Sequence, residues 1–591
     1  MIDNRQQDIK ERISRYAMNL WGITDPSKMD PVVDLLLDAF AHNSNRLYQD
    51  IEAADAAILH RLARLLVPHK WSLPFPAHAL LTICPASGNI RECSIEDQFY
   101  VDKMFFGKGT VRLFFTPLAA YPLVDGQVRS IVDGNRMRTC FTDGRRAVSI
   151  LPNKDEDNEL SIWVGVSISE MNLLSTDSLT LCILPENDRL SPLIRDIQVY
   201  DTDNHIMRTH TPMFSLPEKE KYYYFEDIND YYADNYVTID LAGHQHRESL
   251  CCTPLPRIWN SDGMDGKLEK LCWFRLQFPN TSQDVDFDEI RILLNTFPVV
   301  NRQQAFKKHD FSKEGSIVSL PYSAETHFLH IDSLQDNEGR NYTDIQSHYE
   351  GNPSGAFSVY FGNLERFDTD NARSLIIKLM HLLREDGMAF SSENSEILGG
   401  KLTELYESIT SMGKNSYDLV QRGNRPRVFL LTYPEKGAEN VEVKYWLSNG
   451  PTGNGLDETT PLSHHMTDKY LNAGLRFQTE TKQGTAHKNE QELINSLRYG
   501  LLSRDRIVTE EDVRSYIFHK LGNAVKNVDI RDGVAISPDI KKGIVRTTEI
   551  RISLKRSAGG HAPDFSITAR FLEKELTKRA ISKIPFKVSF V

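Results

Sequence analysis

The sequence predicts a multidomain α+β protein with an N-terminal helical segment, a β-rich, sandwich-like middle and a small C-terminal α+β domain. Three observations support this prediction. Apolar residues recur every three or four positions in the first 70 residues, which is the spacing of a helix face. From residue 79 to about 300, β-branched or alternating runs are separated by turn signals. The last hundred residues mix both patterns.

Changes in these patterns divide the 591 residues into five predicted segments. They are a helical bundle segment at 1–70, two β-rich domains at 71–190 and 191–310, a mixed α/β domain at 311–490 and a C-terminal α+β domain at 491–591. From about residue 305 to 360 the chain is polar and is predicted to be rich in loops. Helices are predicted at 370–384 and 402–409, and strands at 428–431 and 441–446.

The N-terminal segment carries the clearest local signal. Residues 5–21 have helical periodicity, and Gly22 ends the pattern. Asp30 is a suitable N-cap and Pro31 suits the first helical position. A single apolar stripe then runs along Leu36, Phe40, Leu47, Ile51, Ala54, Ile58, Leu62 and Leu65. The stripe fits an antiparallel helix pair packed on its own domain, or a bundle shared with partner chains.

The β-rich middle is predicted from alternating runs that end at Asp-Gly turns. The runs are Ala79–Cys84, Val111–Phe115, Leu160–Val166, Leu179–Leu184, Tyr236–Leu241 and Trp273–Phe278. Turn signals occur at Asp125-Gly126, Asp133-Gly134 and Asp143-Gly144. We expect antiparallel sandwiches in two units that divide near residue 190.

An aromatic and acidic stretch at 218–236 contains six tyrosines. Tyrosine has an apolar ring with a polar tip and is therefore frequent in contact surfaces. Three interpretations remain open: a strand and loop packed on the chain's own sandwich, a partner interface, or a ligand cage. The candidate interface residues are Tyr222, Tyr223, Tyr231 and Tyr232 here, together with Leu36, Phe40, Leu47, Ile51 and Ile58 on the N-terminal stripe.

The C-terminal segment predicts a compact α+β domain. Thr509 and Asp512 are spaced as in a capping box and predict the start of a helix that ends near Gly522. Strands at 525–530 and 544–554, a helix at 566–579 and a final strand at 586–591 complete the predicted domain.

Composition disfavours several functional classes. The formal net charge is −12, whereas a protein that binds nucleic acid through phosphate contacts usually has a basic excess. Seven cysteines without a C-x-x-C pair favour a reducing compartment over a disulfide framework. Residues 1–10 lack the apolar core of a signal peptide, and no apolar run is long enough to span a bilayer. We expect a cytoplasmic protein that binds no nucleic acid and is not inserted in a membrane.

No motif in the sequence predicts catalysis, a metal or a cofactor. There is no G-x-S-x-G elbow, and the segments around Gly107 and Gly399 are incomplete matches to phosphate-binding loops. The histidine pairs lack partners at zinc-ligand spacing, and the acidic triplet at 284–288 lacks the turn glycine of a calcium loop. The pairs are His244 with His246 and His464 with His465. Adjacent Cys251 and Cys252 are predicted to be core residues. We expect a protein that is not an enzyme.

Three local patterns resemble known families. Asp30-Pro31, the helical stretch, Leu65-Leu66-Val67-Pro68-His69 and Pro74-x-Pro76 follow the order found at the N-terminus of TssF proteins. Val67 stands where that family often has tyrosine, and Ala77 where serine is common. Leu294–Asn301 resembles the family's N-x-x-P-[VA]-x-N segment. Arg506–Asp512 is similar to the R-x-V-T-x-E-D segment of phage baseplate J-type proteins, which implies that the C-terminal domain is related to phage baseplate wedge proteins.

The resemblance to TssF (also called the VasA or ImpG family) implies a structural subunit of a type VI secretion baseplate wedge. Two TssF copies assemble with one TssG. TssK then links this wedge to the membrane complex, and TssE links it to the sheath. Six wedges surround the VgrG spike at the inner face of the cytoplasmic membrane. The family has no catalytic residues and no cofactor.

Two other functions remain as alternatives. One is a wedge protein of a phage tail or of an extracellular contractile injection system. The other is a carbohydrate-binding β-sandwich protein, which would explain the tyrosines but not the N-terminal helical stretch.

Overall fold

The fold is taken from a computed structural model that divides the chain into two compact units. It describes residues 2–22, 30, 32–33, 36–41, 43–44, 73–105, 109–141, 146–151, 160–169, 172–173, 176–185, 191–210, 222–244, 250, 252–256, 269–279, 287, 290–320, 325–345, 354–361, 428–488, 490–536, 543–554, 565–582 and 584–590. The first unit comprises Met1–Leu73, Thr281–Gln283 and His487–Val591, and the second comprises Pro74–Asn280 and Asp284–Ala486. The described residues form an α+β chain with several sheets, as predicted.

The N-terminal part of the first unit is helical. Helix α1 (Ile2–Trp21) confirms the predicted helix, and Gly22 follows it with a φ of 67°. Residues 32–33, 36–41 and 43–44 are also helical. The amide of Val32 donates to Asp30 Oδ1 at 2.8 Å, which confirms Asp30 as a capping residue. Other described helices are α2 (Ser191–Ile194), α3 (Phe225–Ala233), α4 (Phe311–Glu314), α5 (Glu490–Ser503), α6 (Glu510–Leu521) and α7 (Phe565–Arg579).

The C-terminal part of the first unit packs helices α5, α6 and α7 with a small sheet. Its described strands are β27 (Val525–Ile536), β28 (Ile544–Leu554) and β29 (Phe586–Phe590). The predicted capping box is present, because Thr509 accepts from the Asp512 amide and the Asp512 carboxylate accepts from the Thr509 amide. The core includes Tyr516, Ile517, Ile550, Leu572 and Leu576, so the predicted C-terminal elements share one apolar interior.

The second unit contains a β-sandwich whose two sheets share a large aliphatic core. One sheet, in spatial order, is β12 (Ile206–Met207), β11 (Gln198–Tyr200), β15 (Cys272–Gln277), β9 (Ser161–Ile168), β6 (Gly126–Asp133), β7 (Arg136–Cys140) and β8 (Arg146–Ile150). The other is β13 (Thr209–His210), β14 (Tyr236–Asp240), β10 (Ser178–Pro185) and β16 (Ile290–Leu293). Their pairings are antiparallel, as expected.

A further sheet of the second unit joins strands from distant parts of the sequence. Its described order is β25 (Ser463–His465), β3 (Gln98–Phe105), β4 (Gly109–Pro117), β17 (Thr296–Asn301), β1 (His78–Thr82) and β26 (Arg476–Phe477). Strands β2 (Glu92–Cys93) and β5 (Tyr121–Pro122) form a short ribbon. The centre of the sheet is therefore held by pairing between β1 and β17, about 200 residues apart in the sequence.

A second sandwich combines strands from residues 303–361, most of which were predicted to be loop-rich, with strands from residues 428–448. One sheet is β18 (Gln303–Asp310), β24 (Asn440–Ser448) and β20 (His327–Asp336). The other is β19 (Ile317–Ser319), β23 (Val428–Tyr433), β22 (Ala356–Phe361) and β21 (Thr343–Asp344). The loop prediction for 305–360 is wrong, whereas the strands predicted at 428–431 and 441–446 are confirmed.

The sheets also correct the predicted boundaries inside the β-rich middle. Strand β9 pairs with β15, and β10 pairs with β14 and β16. Strands from both sides of residue 190 therefore share both sheets of one sandwich, so a boundary there does not separate two domains. The helices predicted at 370–384 and 402–409 lie outside the described residues.

Candidate functional site

The N-terminal helices present an apolar face to solvent. Val32, Leu36 and Phe40 are 64%, 53% and 63% exposed. They are spaced four residues apart, so they lie on one side of the helical segment. Helix α1 adds exposed Tyr16, Leu20 and Trp21. Leu47, Ile51 and Ile58 lie outside the described residues. Large apolar side chains exposed on one side of a helix are typical of a protein contact site.

A charge pair connects these two helical segments. Lys10 Nζ on α1 lies 3.6 Å from Asp38 Oδ1, and both side chains are partly exposed. Exposed pairs contribute little to stability, at most about 1 kcal/mol. Asp38 is two residues from both Leu36 and Phe40, and this spacing places it on a different side of the helix from the apolar stripe. The pair therefore leaves the apolar stripe itself open to a partner.

The tyrosine stretch forms a helix rather than the predicted strand and loop. In α3, Phe225, Ile228, Tyr231 and Tyr232 are buried, with spacings of three and four residues. Tyr222 is 8% exposed and Tyr231 is also 8% exposed, while Tyr223 is partly buried. This burial favours packing on the chain's own second unit, which was one of the interpretations from sequence. The partner interface at these tyrosines stays a prediction.

Buried His78 joins the tyrosine helix to the start of the second unit. Its Nδ1 lies 2.9 Å from the Tyr232 hydroxyl and its Nε2 lies 2.9 Å from Gln483 Oε1. Burial, with a smaller contribution from the charge of Lys482, lowers the pKa of His78 to about 3. The imidazole is therefore neutral at physiological pH and serves as a hydrogen-bonding bridge between segments.

Arg302 forms a second buried connection to the tyrosine stretch, through a different tyrosine. Its Nη1 donates to the Tyr224 hydroxyl at 2.9 Å, its Nη2 donates to the Pro117 carbonyl at 2.7 Å, and its Nε donates to Thr116. The guanidinium also lies 4.6 Å from the centre of the Trp446 ring. Residues far apart in sequence thus meet at one cation inside the second unit.

The segment Leu294–Asn301, which resembles the TssF motif, has a structural role. Asn295 has a φ of 50°, its Nδ2 donates to the Val124 carbonyl at 2.7 Å and its Oδ1 accepts from the Val124 amide at 3.0 Å. Asn301 Oδ1 accepts from Ser448 Oγ at 3.0 Å and from the Asn449 amide at 2.8 Å. Both asparagines therefore hold distant backbone segments against β17.

The proline segment at 74–77 meets this motif in the same unit. The Ala77 carbonyl accepts from the Asn301 amide at 2.7 Å, and the Pro74 carbonyl accepts from the Tyr223 hydroxyl. A Cβ on Gly453 would lie 3.0 Å from the Asn301 side chain and 3.1 Å from Ala77. The turn cluster at 448–455 and two of the recognised patterns therefore converge on one structural junction.

His244 and His465, one from each histidine pair, have different neighbours in the structure. His244 Nε2 lies 3.1 Å from the buried carboxylate of Asp201, and His205 Nδ1 lies 3.0 Å from the same oxygen. His465 packs its ring on Phe114 and Tyr100. Within the part of the chain that the structure describes, no group of three or more His, Cys, Asp or Glu side chains is arranged to hold a metal ion. Gly107, His246, Cys251, Gly399, residues 284–286 and Asp288 lie outside the described residues.

Two buried polar clusters were missed from sequence. One is Arg302 with its tyrosine partners. The other is Lys488, whose Nζ donates to Ser496 Oγ at 3.1 Å and to the His519 carbonyl at 2.9 Å. No local signal marked either cluster, because an isolated Arg or Lys is usually solvent-exposed. The α3 helix, in contrast, could have been found from the spacing of Phe225, Ile228 and Tyr232.

None of the described helices combines the length and the hydropathy of a membrane span. No protein-family model matches the chain, and no curated protein matches it. Among solved structures, a chain of the type VI secretion system TssK-TssF-TssG baseplate subcomplex, determined by cryo-electron microscopy, aligns with 95% of this chain and 96% of its own length. The identity is 12% and the TM-score is 0.45.

A chain of the baseplate complex from the type VI secretion system also aligns. It covers 99% of this chain and 96% of its own length, with 12% identity and a TM-score of 0.36.

Proposed function

We propose that this chain is a structural, non-enzymatic subunit of a type VI secretion baseplate wedge. It assembles with a TssG-like subunit and a second copy of itself, and joins TssK-like and TssE-like subunits around a VgrG spike. It acts in the cytoplasm, at the inner face of the cytoplasmic membrane. The observation that carries the proposal is the exposed apolar stripe of Val32, Leu36 and Phe40. It lies within the segment that resembles the TssF N-terminus.

The stripe supports a contact with a helical partner. Side chains at intervals of four residues match the groove of another helix in a bundle. Fully burying each large apolar side chain contributes about 1.5–3 kcal/mol. A stripe of this kind can therefore supply much of the free energy of assembly, while the sandwiches of the second unit provide stiffness.

Replacing Leu36 and Phe40 together with aspartate is expected to prevent co-purification with the TssG-like subunit. Two lost apolar contacts weaken binding by a factor of about 100 or more, and buried aspartates add a desolvation cost. Co-expression followed by affinity purification and size-exclusion chromatography measures the effect. The matched control is Val148→Asp with Met466→Asp, since these residues are 65% and 93% exposed in the second unit. Retention of the complex by L36D/F40D would contradict the proposed bundle.

We propose a second partner contact at α3, limited to the side of the helix that is exposed. Buried Tyr222, Tyr231 and Tyr232 hold α3 in place, while Glu226 and Asp230 form its exposed acidic side. We expect slower hydrogen exchange at residues 222–236 in the wedge than in the free chain, because a bound partner restrains helix opening. Mass spectrometry of free and assembled protein measures this difference. Unchanged exchange at 222–236, with slowed exchange in the N-terminal helices, would remove α3 from the interface.

The burial of the tyrosine stretch argues against the carbohydrate-binding alternative. A protein that binds carbohydrate there would need exposed aromatic rings on which a sugar could stack. Tyr224 and Tyr232 are at most 2% exposed, so their rings offer no open face. A phage-tail or extracellular injection wedge would use the same apolar stripe, and the identity of co-purifying subunits distinguishes it from a type VI wedge.

A further inference from the structure

Four large aliphatic side chains are exposed in the C-terminal part of the first unit, where three helices begin or end. Leu501 and Leu502 lie in the last turn of α5, Val508 precedes the N-cap of α6, and Ile581 follows α7. Each of the four is more than half exposed. The ends of α5 and α7 and the start of α6 therefore all carry apolar surface that is open to solvent.

Backbone pairing brings the start of α6 beside the end of α7. The Ile507 amide donates to the Arg579 carbonyl at 3.0 Å, and the Ile581 amide donates to the Ile507 carbonyl at 3.2 Å. Ile507 and Ala580 thus form a parallel bridge, and Ile507 is buried. Side chains alternate between the two sides of extended backbone. Val508 and Ile581, each one residue after a bridged residue, therefore lie side by side on the outer face.

The turn from α5 to α6 is strained and held in place from two sides. Arg504 and Asp505 have φ angles of 48° and 63°, in the left-handed region that residues other than glycine rarely adopt. Asp505 Oδ1 accepts from the Tyr499 hydroxyl at 2.9 Å and from Arg579 Nε at 3.0 Å. Such strain persists where the surrounding structure fixes the backbone. The exposed leucines at the end of α5 are therefore held near the exposed side chains beside α7.

Three exposed arginines lie in and beside this turn. Arg498 precedes Leu502 by one helical turn, so both lie on one side of α5. Arg504 and Arg506 flank Asp505, whose carboxylate is already engaged by α5 and α7. In the part of the chain that the structure describes, no residue forms a hydrogen bond or an ion pair with the side chains of these three arginines.

The exposed acidic residues that begin α6 do not neutralise these arginines, because they have a cation of their own. Arg514 lies 3.7 Å from a carboxylate oxygen of Glu510 and 3.3 Å from one of Glu511. The three arginines of the turn therefore keep their hydrogen-bond donors available for carboxylates that come from outside the chain.

We propose that this surface, formed by the α5–α6 turn and Ile581, is a docking site for an acidic amphipathic helix of a partner protein. The four aliphatic side chains cover the apolar face of such a helix, and the arginines pair with carboxylates along its edges. A turn that is already fixed by Asp505 loses little conformational freedom on binding. The surface lies in the first unit, and the inference does not depend on the proposed baseplate role.

The composition of the surface favours a protein partner over a lipid surface. A guanidinium pairs with a carboxylate through two parallel N–H donors, and arginine is enriched in protein interfaces where lysine is depleted. Sites at a membrane surface typically place tryptophan or tyrosine at the headgroup level, whereas the four exposed apolar side chains here are leucine, valine and isoleucine. An acidic helix therefore matches both the charge and the apolar part of the surface.

Fluorescence anisotropy of the full-length protein with two labelled synthetic peptides tests the proposal. One peptide is a helix of alanine, leucine and glutamate with its leucines on one face, and the other has lysine at each glutamate position. Wild type is expected to bind the acidic peptide and not the basic one. Arg504→Glu combined with Arg506→Glu should weaken that binding by about tenfold or more, because attraction becomes repulsion. Leu502→Asp should weaken it by about tenfold, because an apolar contact is lost.

The matched control is Arg531→Glu combined with Arg546→Glu, which makes the same change of charge on the exposed hairpin of β27 and β28 in the same unit. It should bind the acidic peptide as wild type does. All of the replaced side chains are exposed, so each variant is expected to keep the far-UV circular dichroism of wild type. Absence of binding in wild type, or equal binding by wild type and R504E/R506E, would overturn the docking site. Binding of wild type to phosphatidylglycerol vesicles without binding to the acidic peptide would also overturn it, in favour of a membrane surface.

Discussion

Replacing Asn301 with leucine is expected to lower the free energy of unfolding of the second unit by about 3–5 kcal/mol. Asn301 is fully buried. Its Nδ2 donates to the Phe114 carbonyl at 2.9 Å, and its Oδ1 accepts from the Ser448 hydroxyl and the Asn449 amide. Leucine has a similar size, so little cavity is created. The cost comes from buried polar groups that lose their partner.

Urea unfolding followed by tryptophan fluorescence measures this loss, since Trp163, Trp273 and Trp446 are buried in the second unit. The matched control is Asn89→Leu, because Asn89 is exposed, and it should stay within about 0.5 kcal/mol of wild type. A leucine variant as stable as the control would show that the hydrogen bonds of Asn301 contribute little.

The contacts of Asn301 bear on how the segment Leu294–Asn301 is interpreted. Asn295 and Asn301 are both engaged with backbone groups of the same unit, and the Asn301 amide also donates to Ala77. The motif is therefore explained by the needs of the fold.

Several elements were predictable because their signal is local. Strand β9 is predicted from its run of β-branched residues, and α6 from the reciprocal capping of Thr509 and Asp512. Asp30 was recognised as a cap for the same reason. In each case, the residues that determine the element are only a few positions apart, so the local sequence pattern is enough to predict the element.

The second sandwich was missed because its pattern is interrupted. Strand β20 has register shifts between Phe328 and His330 and between Ile331 and Ser333. Each shift breaks the alternation of apolar and polar residues that identifies a strand. Its partner β24 lies about 100 residues later, so pairing across the sheet stabilises a strand whose local pattern is weak.

The candidate surfaces were predictable to different degrees. The spacing of Leu36 and Phe40 predicted a shared helix face, but spacing alone does not say whether that face is covered. The tyrosines were recognised by composition, yet their burial depends on His78 and Arg302, which are distant in sequence.

The stability of the C-terminal part of the first unit is expected to rise between about pH 7 and 10.5 because of Lys488. Burial, with a smaller contribution from the Lys520 charge, lowers the pKa of Lys488 from 10.5 to about 7, and nearby Glu492 opposes the shift. Within this window the unfolded chain carries a proton on Lys488 that the folded chain lacks. Stability therefore increases with pH, by at most about 1.4 kcal/mol per unit.

The neighbouring His519 changes stability in a separate window. Burial lowers its pKa well below 6.5, and the charge of Lys488 adds to this effect. The unfolded chain therefore binds the extra proton only below about pH 6.5. Any loss of stability from His519 occurs on acidification, so it does not overlap with the alkaline effect expected from Lys488.

Lys488→Met should remove the alkaline effect, since methionine retains the apolar stem without the amine. Differential scanning calorimetry of the full chain from pH 7 to 10 measures the unfolding midpoints. The midpoint of wild type is expected to rise relative to that of Lys488→Met as pH increases. Lys526→Met is the matched control, because Lys526 is exposed in the same unit, and its midpoint should run parallel to wild type. A constant difference between wild type and Lys488→Met would mean that Lys488 stays protonated inside the fold, with His519 and Ser496 stabilising its charge.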